Sequence, residues 1–93
     1  MDHNQYIVER LDSARDERGM SKAELARRSD IPTKRLTSIF SGKRQLRADE
    51  FVRLCFVMSM PYQAFLTPEL RERYEEAARR VVVDFGTGYK PVR

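Results

Sequence analysis

The chain has 93 residues, of which 41% are hydrophobic and 34% charged, with a net charge of +4, so it is large enough for one domain with a short appendage and too small for two. One cysteine excludes an internal disulfide framework and a cysteine-rich zinc site, and one histidine argues against histidine-based metal or acid–base chemistry. The chain has no apolar stretch of the roughly 20 residues that a membrane helix needs, its N-terminus is acidic and polar, unlike a signal peptide, and Cys55 suits a reducing compartment. We therefore expect a cytoplasmic domain with no membrane contact, no metal and no cofactor.

The first two helices are marked by spacing and by capping residues. Apolar residues at helical intervals predict a first helix over residues 4–18, which Gly19 ends. Ser21 and Glu24 stand three residues apart, as the N-cap and N3 positions of a capping box do. They predict a short second helix that begins there and ends near Ser29.

The next two helices follow after a tight connection. Pro32 has no N–H to lose in the first turn of a helix, so it opens a third helix over residues 33–41, which Gly42 closes. A basic loop over residues 43–47 comes next. A fourth helix is predicted over residues 48–58, with its apolar side chains on one face.

Apolar residues are sparser in the remaining third of the chain than in the first four predicted helices. Pro61 opens a short fifth helix that ends at Leu66, and a sparse apolar pattern predicts a sixth helix over residues 68–80. The segment Val81–Phe85, which begins with three β-branched valines, predicts a short β-strand, followed by a glycine-rich turn or tail.

The positive charge is concentrated in one segment. Residues 22–47 carry eight basic and two acidic side chains, whereas residues 1–21 have a net charge of −2 and residues 48–93 a net charge of zero. A charge run alone is often only a solvated helical face. Here it coincides with the second and third helices and the loop after them, which favours an anionic partner.

Two short helices joined by a tight turn and packed on a longer helix make a helix-turn-helix arrangement. Its physical requirements are met by Ala26, which is small enough for a helix crossing, by Ile31, which can fill the turn, and by apolar residues that hold the third helix down. The opposite face of the third helix has no carboxylate to repel DNA: it consists of Thr33, Lys34, Thr37, Ser38 and Ser41.

Residues 7–66 resemble the Cro/cI-type (XRE family) helix-turn-helix domain of bacterial and phage regulators. The resemblance rests on the motifs 10–11, 14–15, 18–21, 24–26, 31, 36–37, 39 and 42–44, and on the five-helix pattern completed by residues 58–66. It implies an all-α, lambda-repressor-like fold with a DNA-binding domain over residues 1–66 and a C-terminal extension over residues 67–93.

The resemblance also implies roles for individual residues. In such regulators the start of the third helix enters the major groove, so base edges of double-stranded DNA would be read by Thr33, Lys34, Thr37 and Ser38. Phosphate contacts would come from Ser21, Lys22, Arg35, Ser41, Lys43 and Arg44. For Ser21 a pure capping role is equally consistent with the sequence, and Arg35 is as consistent with a side chain that lies along the backbone.

Two positions depart from the family pattern. Many relatives have a glutamate, paired with the arginine equivalent to Arg15, where this chain has Phe40. We therefore expect that ion pair to be absent and Arg15 to be free for solvent or phosphate. Pro32 replaces the usual serine cap, which leaves the first residue of the third helix open by one position.

A single helix-turn-helix unit typically binds half of a palindromic site. The extension contains apolar side chains that need cover, so we expect it to form a homodimer interface, by helix packing or strand pairing, through Leu70, Tyr74, Val81, Val82, Val83 and Phe85. The alternative is that this segment folds back on its own domain.

Three classes of function compete. The first is a sequence-specific transcriptional regulator, most simply a repressor. The second is an antitoxin-like interaction module whose C-terminal segment binds a partner protein. The third, an enzyme, lacks a nucleophile–base pair, a phosphate-binding glycine loop and a metal cluster in the sequence.

Overall fold

A computed structural model describes residues 2–86 and 88. Of the described residues 74% are helical and none lies in a β-strand, and five α-helices and one short 3₁₀ helix follow one another as expected for the lambda-repressor-like pattern. Their bounds are α1 (His3–Glu17), α2 (Lys22–Ser29), α3 (Thr33–Phe40), α4 (Ala48–Met58), the 3₁₀ helix (Tyr62–Phe65) and α5 (Pro68–Phe85).

The caps explain where the helices begin. The Ser21 hydroxyl accepts a hydrogen bond from the Glu24 N–H at 3.0 Å, so it caps α2 as predicted. Pro32 stands at the N-cap of α3 rather than inside its first turn, which settles the start of that helix at Thr33. Thr67 caps α5 by accepting from the Leu70 N–H at 3.2 Å.

The first four α-helices and the 3₁₀ helix share one hydrophobic core. Its fully buried side chains include Leu11, Leu25, Leu36, Leu54 and Phe65, each at most 2% exposed. Phe51 packs edge-on against Phe65, with ring centroids 5.0 Å apart. In the resulting scaffold α2 packs against α3 and α4, and α1 packs against α3 and α4, because these helices contribute to the same cluster.

The β-strand predicted over Val81–Phe85 is wrong, because α5 continues through these residues without a break. Extending a helix that has already formed is easy, because each added residue gains a backbone hydrogen bond without a new nucleation step. This gain outweighs the weak β preference of three valines. A helix also changes which side chains share a face. Val81 and Phe85 lie one turn apart, whereas Val83 points about 200° away from Val81.

The apolar face of α5 is open to solvent. No residue of α5 is buried, and all of residues 71–85 are exposed. Tyr74, Val81 and Phe85 are 48%, 53% and 82% exposed on one side of the helix. Within the described residues, the alternative in which this segment buries its apolar face on its own domain is therefore not what the structure shows.

Candidate nucleic-acid interface

The turn between α2 and α3 is held by backbone geometry and by one buried side chain. Asp30 ends α2 in the left-handed conformation, with φ of 55°. The Ile31 N–H donates to the Ala26 carbonyl at 3.0 Å, and the Ile31 side chain is 4% exposed. Ala26 is 1% exposed, so it takes the close-packed position that the sequence assigned to it. These contacts fix the angle at which α3 leaves α2.

The predicted base-reading residues lie along the outward side of α3. Thr33, Lys34 and Thr37 are exposed, while Ser38 is half-buried. The Ser38 hydroxyl donates to the Lys34 carbonyl at 3.0 Å, one turn back on the same helix. Leu36 and Ile39 on the opposite side are fully buried, so the polar side is presented because the apolar side is anchored.

The loop over residues 41–47 continues this surface. Ser41, Lys43 and Arg44 are all exposed. Lys34, Ser38 and Arg44 line one shallow concavity of about 370 Å³, together with Pro32 and Arg35. The structure thus brings a predicted base-reading lysine and a predicted phosphate-binding arginine to one place. No carboxylate occurs anywhere between Ile31 and Ala48 in the sequence.

The start of α2 supplies the other predicted phosphate contacts. Ser21 is exposed and its hydroxyl is used by the Glu24 N–H, while Lys22 is half-buried. Glu24 itself forms ion pairs with Arg27 and Arg28 on the same helix. The hydrogen bond from Arg28 is the main reason that the pKa of Glu24 lies below its usual value.

Arg35 is engaged inside the domain. Its Nε donates to Glu50 Oε2 at 2.5 Å and its Nη2 donates to Glu50 Oε1 at 2.9 Å, which makes a bidentate ion pair. Glu50 is 2% exposed, and it also accepts from the Arg47 N–H at 2.9 Å. Arg35 therefore serves the fold in this structure, and the predicted phosphate contacts rest on the other five residues.

The expectation that Arg15 is free was wrong. Its Nε donates to Asp12 at 2.9 Å and its Nη1 donates to the Met20 carbonyl at 2.6 Å, so the guanidinium ties the end of α1 to the chain that enters α2. Phe40 stands where many relatives have the glutamate that pairs with this arginine, but Asp12 and the Met20 carbonyl lie near Arg15 in the sequence and take its place. A carboxylate three residues before an arginine on a helix is a local signal that could have found the first of them.

Glu50 is the residue that sequence reasoning missed. It occupies the third position of α4, where a glutamate side chain often accepts from the N-cap N–H, and this position could have suggested its contact with the Arg47 backbone. Nothing local indicated Arg35, which lies 15 residues away in the sequence. Only the packing of α3 beside the start of α4 brings the two together.

Comparison with known protein families agrees with this geometry. Residues 11–55 match a family model described as helix-turn-helix. This segment is thus similar to the helix-turn-helix domain of XRE-type regulators, in agreement with the resemblance seen in the sequence. The match includes the whole of α2, the turn, α3 and the loop 41–47, and the family consists of DNA-binding regulators rather than enzymes. Searches of curated proteins and of solved structures found no match.

The helix-turn-helix domain is followed by α5, which the family match does not cover. Among the residues that the structure describes, no helix has both the length and the apolar character needed to cross a membrane.

Because Glu50 forms an ion pair, we expect the helix-turn-helix domain to lose stability in acid. The hydrogen bonds from Arg35 hold the pKa of Glu50 below its ordinary value, against the opposite effect of burial. Nearby, Arg47 is the main cause that lowers the pKa of Asp49 to about 2. Because the folded-state pKa values are depressed, the unfolded chain binds more protons in acid, so this stability is present above the unfolded pKa and is lost as pH falls below it.

Urea denaturation followed by circular dichroism from neutral pH down to about pH 3 checks this expectation. The free energy of unfolding should fall as the pH drops below the ordinary carboxyl range. A double variant, Arg35→Met with Glu50→Met, removes one of the depressed carboxyl groups and should lose less stability over the same range. Equal losses in the two proteins would contradict the assignment to Glu50.

Proposed function

We propose that this protein is a sequence-specific double-stranded DNA-binding regulator, most simply a repressor that occludes a promoter. Residues 1–66 form its DNA-binding domain, α3 reads base edges through Thr33, Lys34, Thr37 and Ser38, and phosphates are held by the start of α2 and by the loop 41–47. The observation that carries the proposal is the exposed, carboxylate-free surface of α3 and its loop, beside an anchored apolar face. Such a surface can contact the phosphate backbone of DNA without repulsion between negative charges.

Selection of bound DNA from a random pool tests the proposal most directly. A regulator of this type should enrich one sequence, and two copies acting together should enrich a palindrome, because a two-fold dimer places two recognition helices on two half-sites. Recovery of random sequence alone would contradict base reading. The selected site then provides the operator for the measurements below.

Substitutions on α3 and in the loop should have different effects. Lys34→Ala and Thr37→Ala remove contacts to base edges, so each should reduce the preference for the operator over random DNA by about 1–3 kcal/mol. Lys43→Ala removes a phosphate contact, so it should weaken binding to both DNAs alike and reduce the salt slope by about one unit. Fluorescence anisotropy titrations at several salt concentrations separate the two patterns. Equal losses on both DNAs for all three variants would contradict the base-reading assignment.

We further propose that α5 forms the homodimer interface. Leu70, Tyr74, Ala77 and Val81 follow one another at intervals of four, three and four residues, which is the spacing of a helix-pairing seam. Phe85 extends this seam by one turn, and Val82 lies at its edge. Val83, which was also assigned to the interface from the sequence, is left out of the seam because the helix turns it to the opposite side. The support is the solvent exposure of this face together with the need of a half-site reader for a second copy.

The same exposed face supports one alternative, an antitoxin-like module whose C-terminal helix binds a partner protein. The two proposals differ in what the isolated protein does. A dimerisation helix makes the pure protein dimeric, whereas a helix reserved for another protein leaves it monomeric until that partner is added. A small toxin-like reading frame beside the gene would favour the alternative.

A further inference from the structure

The loop 41–47 is fastened to α3 at its first half by one carbonyl group. The Ser38 carbonyl oxygen accepts from the Lys43 N–H at 2.9 Å, from the Arg44 N–H at 3.2 Å and from the Ser41 hydroxyl at 3.1 Å. Gly42 makes the reversal with φ of 83°, a conformation that side-chain-bearing residues rarely adopt. The start of the loop is thus fixed by α3 itself.

The second half of the loop depends on a different group. The Gln45 carbonyl accepts from Arg35 Nη2 at 3.3 Å, and the Arg47 N–H donates to the Glu50 carboxylate at 2.9 Å. Both contacts meet in the bidentate pair of Arg35 and Glu50, so a single buried carboxylate joins α3, the loop and α4. Such a carboxylate has fixed partners on each side, because leaving it without them in a buried place is costly.

We propose that Glu50 is a positioning residue for DNA binding, which acts through Arg35 to fix the loop 41–47 relative to the base-reading side of α3. The inference rests on the proposed function, and it adds a residue that does not face DNA. Phosphate contacts set the register of a protein on the duplex, and base contacts are made only when that register is right. The distance between the cations of the loop and Lys34 is therefore a quantity on which recognition depends.

Arg35 could instead bind a DNA phosphate directly, and one substitution at Glu50 distinguishes that role from the positioning role. If Arg35 leaves Glu50 to bind a phosphate, then Glu50 competes with DNA for it, and removing the carboxylate charge strengthens binding. If Arg35 is a positioning residue, removing that charge loosens the loop and weakens binding. Glu50→Gln separates the two, because the amide keeps the size of the side chain and an acceptor for the Arg47 N–H.

We expect Glu50→Gln to weaken operator binding and to reduce the operator preference, although the substitution makes the net charge more positive. The salt slope of binding should fall by up to about one unit, because the backbone of Lys43 and Arg44 keeps its hydrogen bonds to Ser38 and the phosphate contacts are weakened only through the second half of the loop. Anisotropy titrations on operator and random DNA over a range of salt concentrations measure both quantities. Tighter binding with a steeper slope would overturn the proposal.

The double variant Arg35→Met with Glu50→Met guards against a simple loss of folding. It leaves the net charge unchanged and places apolar side chains of similar length where the ion pair was, a replacement that often preserves stability. It should show the same loss of operator preference as Glu50→Gln, at a temperature where circular dichroism shows both proteins fully folded. Parental slope and preference in both variants would overturn the proposal.

Cys55→Ala is the matched control for stability, because it truncates a buried side chain on the same helix without touching the loop. It should bind with the parental slope and preference even where its melting temperature is lower. Lys43→Ala separates this inference from the proposed function. If Lys43→Ala lowers the slope and Glu50→Gln does not, only the positioning role fails. If Lys43→Ala also leaves the slope unchanged, the phosphate contact of Lys43 fails together with the positioning role, whereas the proposed function is still decided by DNA selection and by Lys34→Ala and Thr37→Ala.

Discussion

Replacing Val81 by glutamate is expected to turn a dimeric protein into a monomeric one. Val81 lies between Ala77 and Phe85 in the seam on α5 that begins at Leu70, and a glutamate there places like charges against each other between two copies. Binding to an operator with two half-sites should weaken by about 10²–10⁴-fold, the range that linked binding of two modules typically provides. Binding to a single half-site should not change. Sedimentation and anisotropy titrations measure the two effects.

Val83→Glu is the matched control, since it introduces the same charge on the same helix two residues further along. Val83 is 83% exposed and lies on the side of α5 that carries Glu72, Glu76 and Arg79. It should remain dimeric and bind as the parent does. Identical behaviour of the two variants, or a monomeric parent, would contradict the dimer and favour the partner-protein alternative.

Arg35→Ala is expected to lower the free energy of unfolding by about 3 kcal/mol, because it leaves the buried Glu50 carboxylate without its ion partner. The value lies at the lower end of the usual range since the Arg35 side chain is 29% exposed. Pairing this change with a neutral residue at Glu50 should recover most of the loss, because no charge is then left buried. Urea denaturation at neutral pH measures all three proteins.

Arg71→Ala supplies the comparison for an ion pair of the exposed kind. Arg71 and Glu75 are 57% and 58% exposed on α5, so their pair should contribute only about 0.3–0.5 kcal/mol. A loss for Arg35→Ala no larger than that for Arg71→Ala would show that burial of Glu50 does not matter for stability.

The sequence was sufficient to predict the elements whose signals are local. The fourth helix was predicted over residues 48–58 and α4 has those bounds, and the Ser21 cap was recognised from its spacing to Glu24. Ala26 and Ile31 were assigned to the helix crossing and the turn from size and polarity alone, and both are buried. These predictions succeeded because caps, periodicity and turn residues act over a few positions.

The errors arose where a distant or competing interaction decides. Three adjacent valines resemble a strand when taken alone, but a helix that already ends beside them extends at little cost. Arg15 was expected to be free because Phe40 replaces the glutamate found in many relatives, although Asp12 and the Met20 carbonyl were within its reach. The contact between Arg35 and Glu50 depends on how α3 and α4 pack, which no spacing rule contains. The DNA contacts and the dimer remain predictions.

The two ends of the helix-turn-helix body meet at one corner. His3, at the first turn of α1, lies with its Nε2 2.8 Å from the carbonyl oxygen of Phe65, 62 residues later. Since α5 begins only three residues after Phe65, anything joined before α1 and the helix that follows the body start side by side. The two ends of the domain therefore lie on the same side of it, so a segment added at either end starts from one place and leaves the exposed side of α3 uncovered.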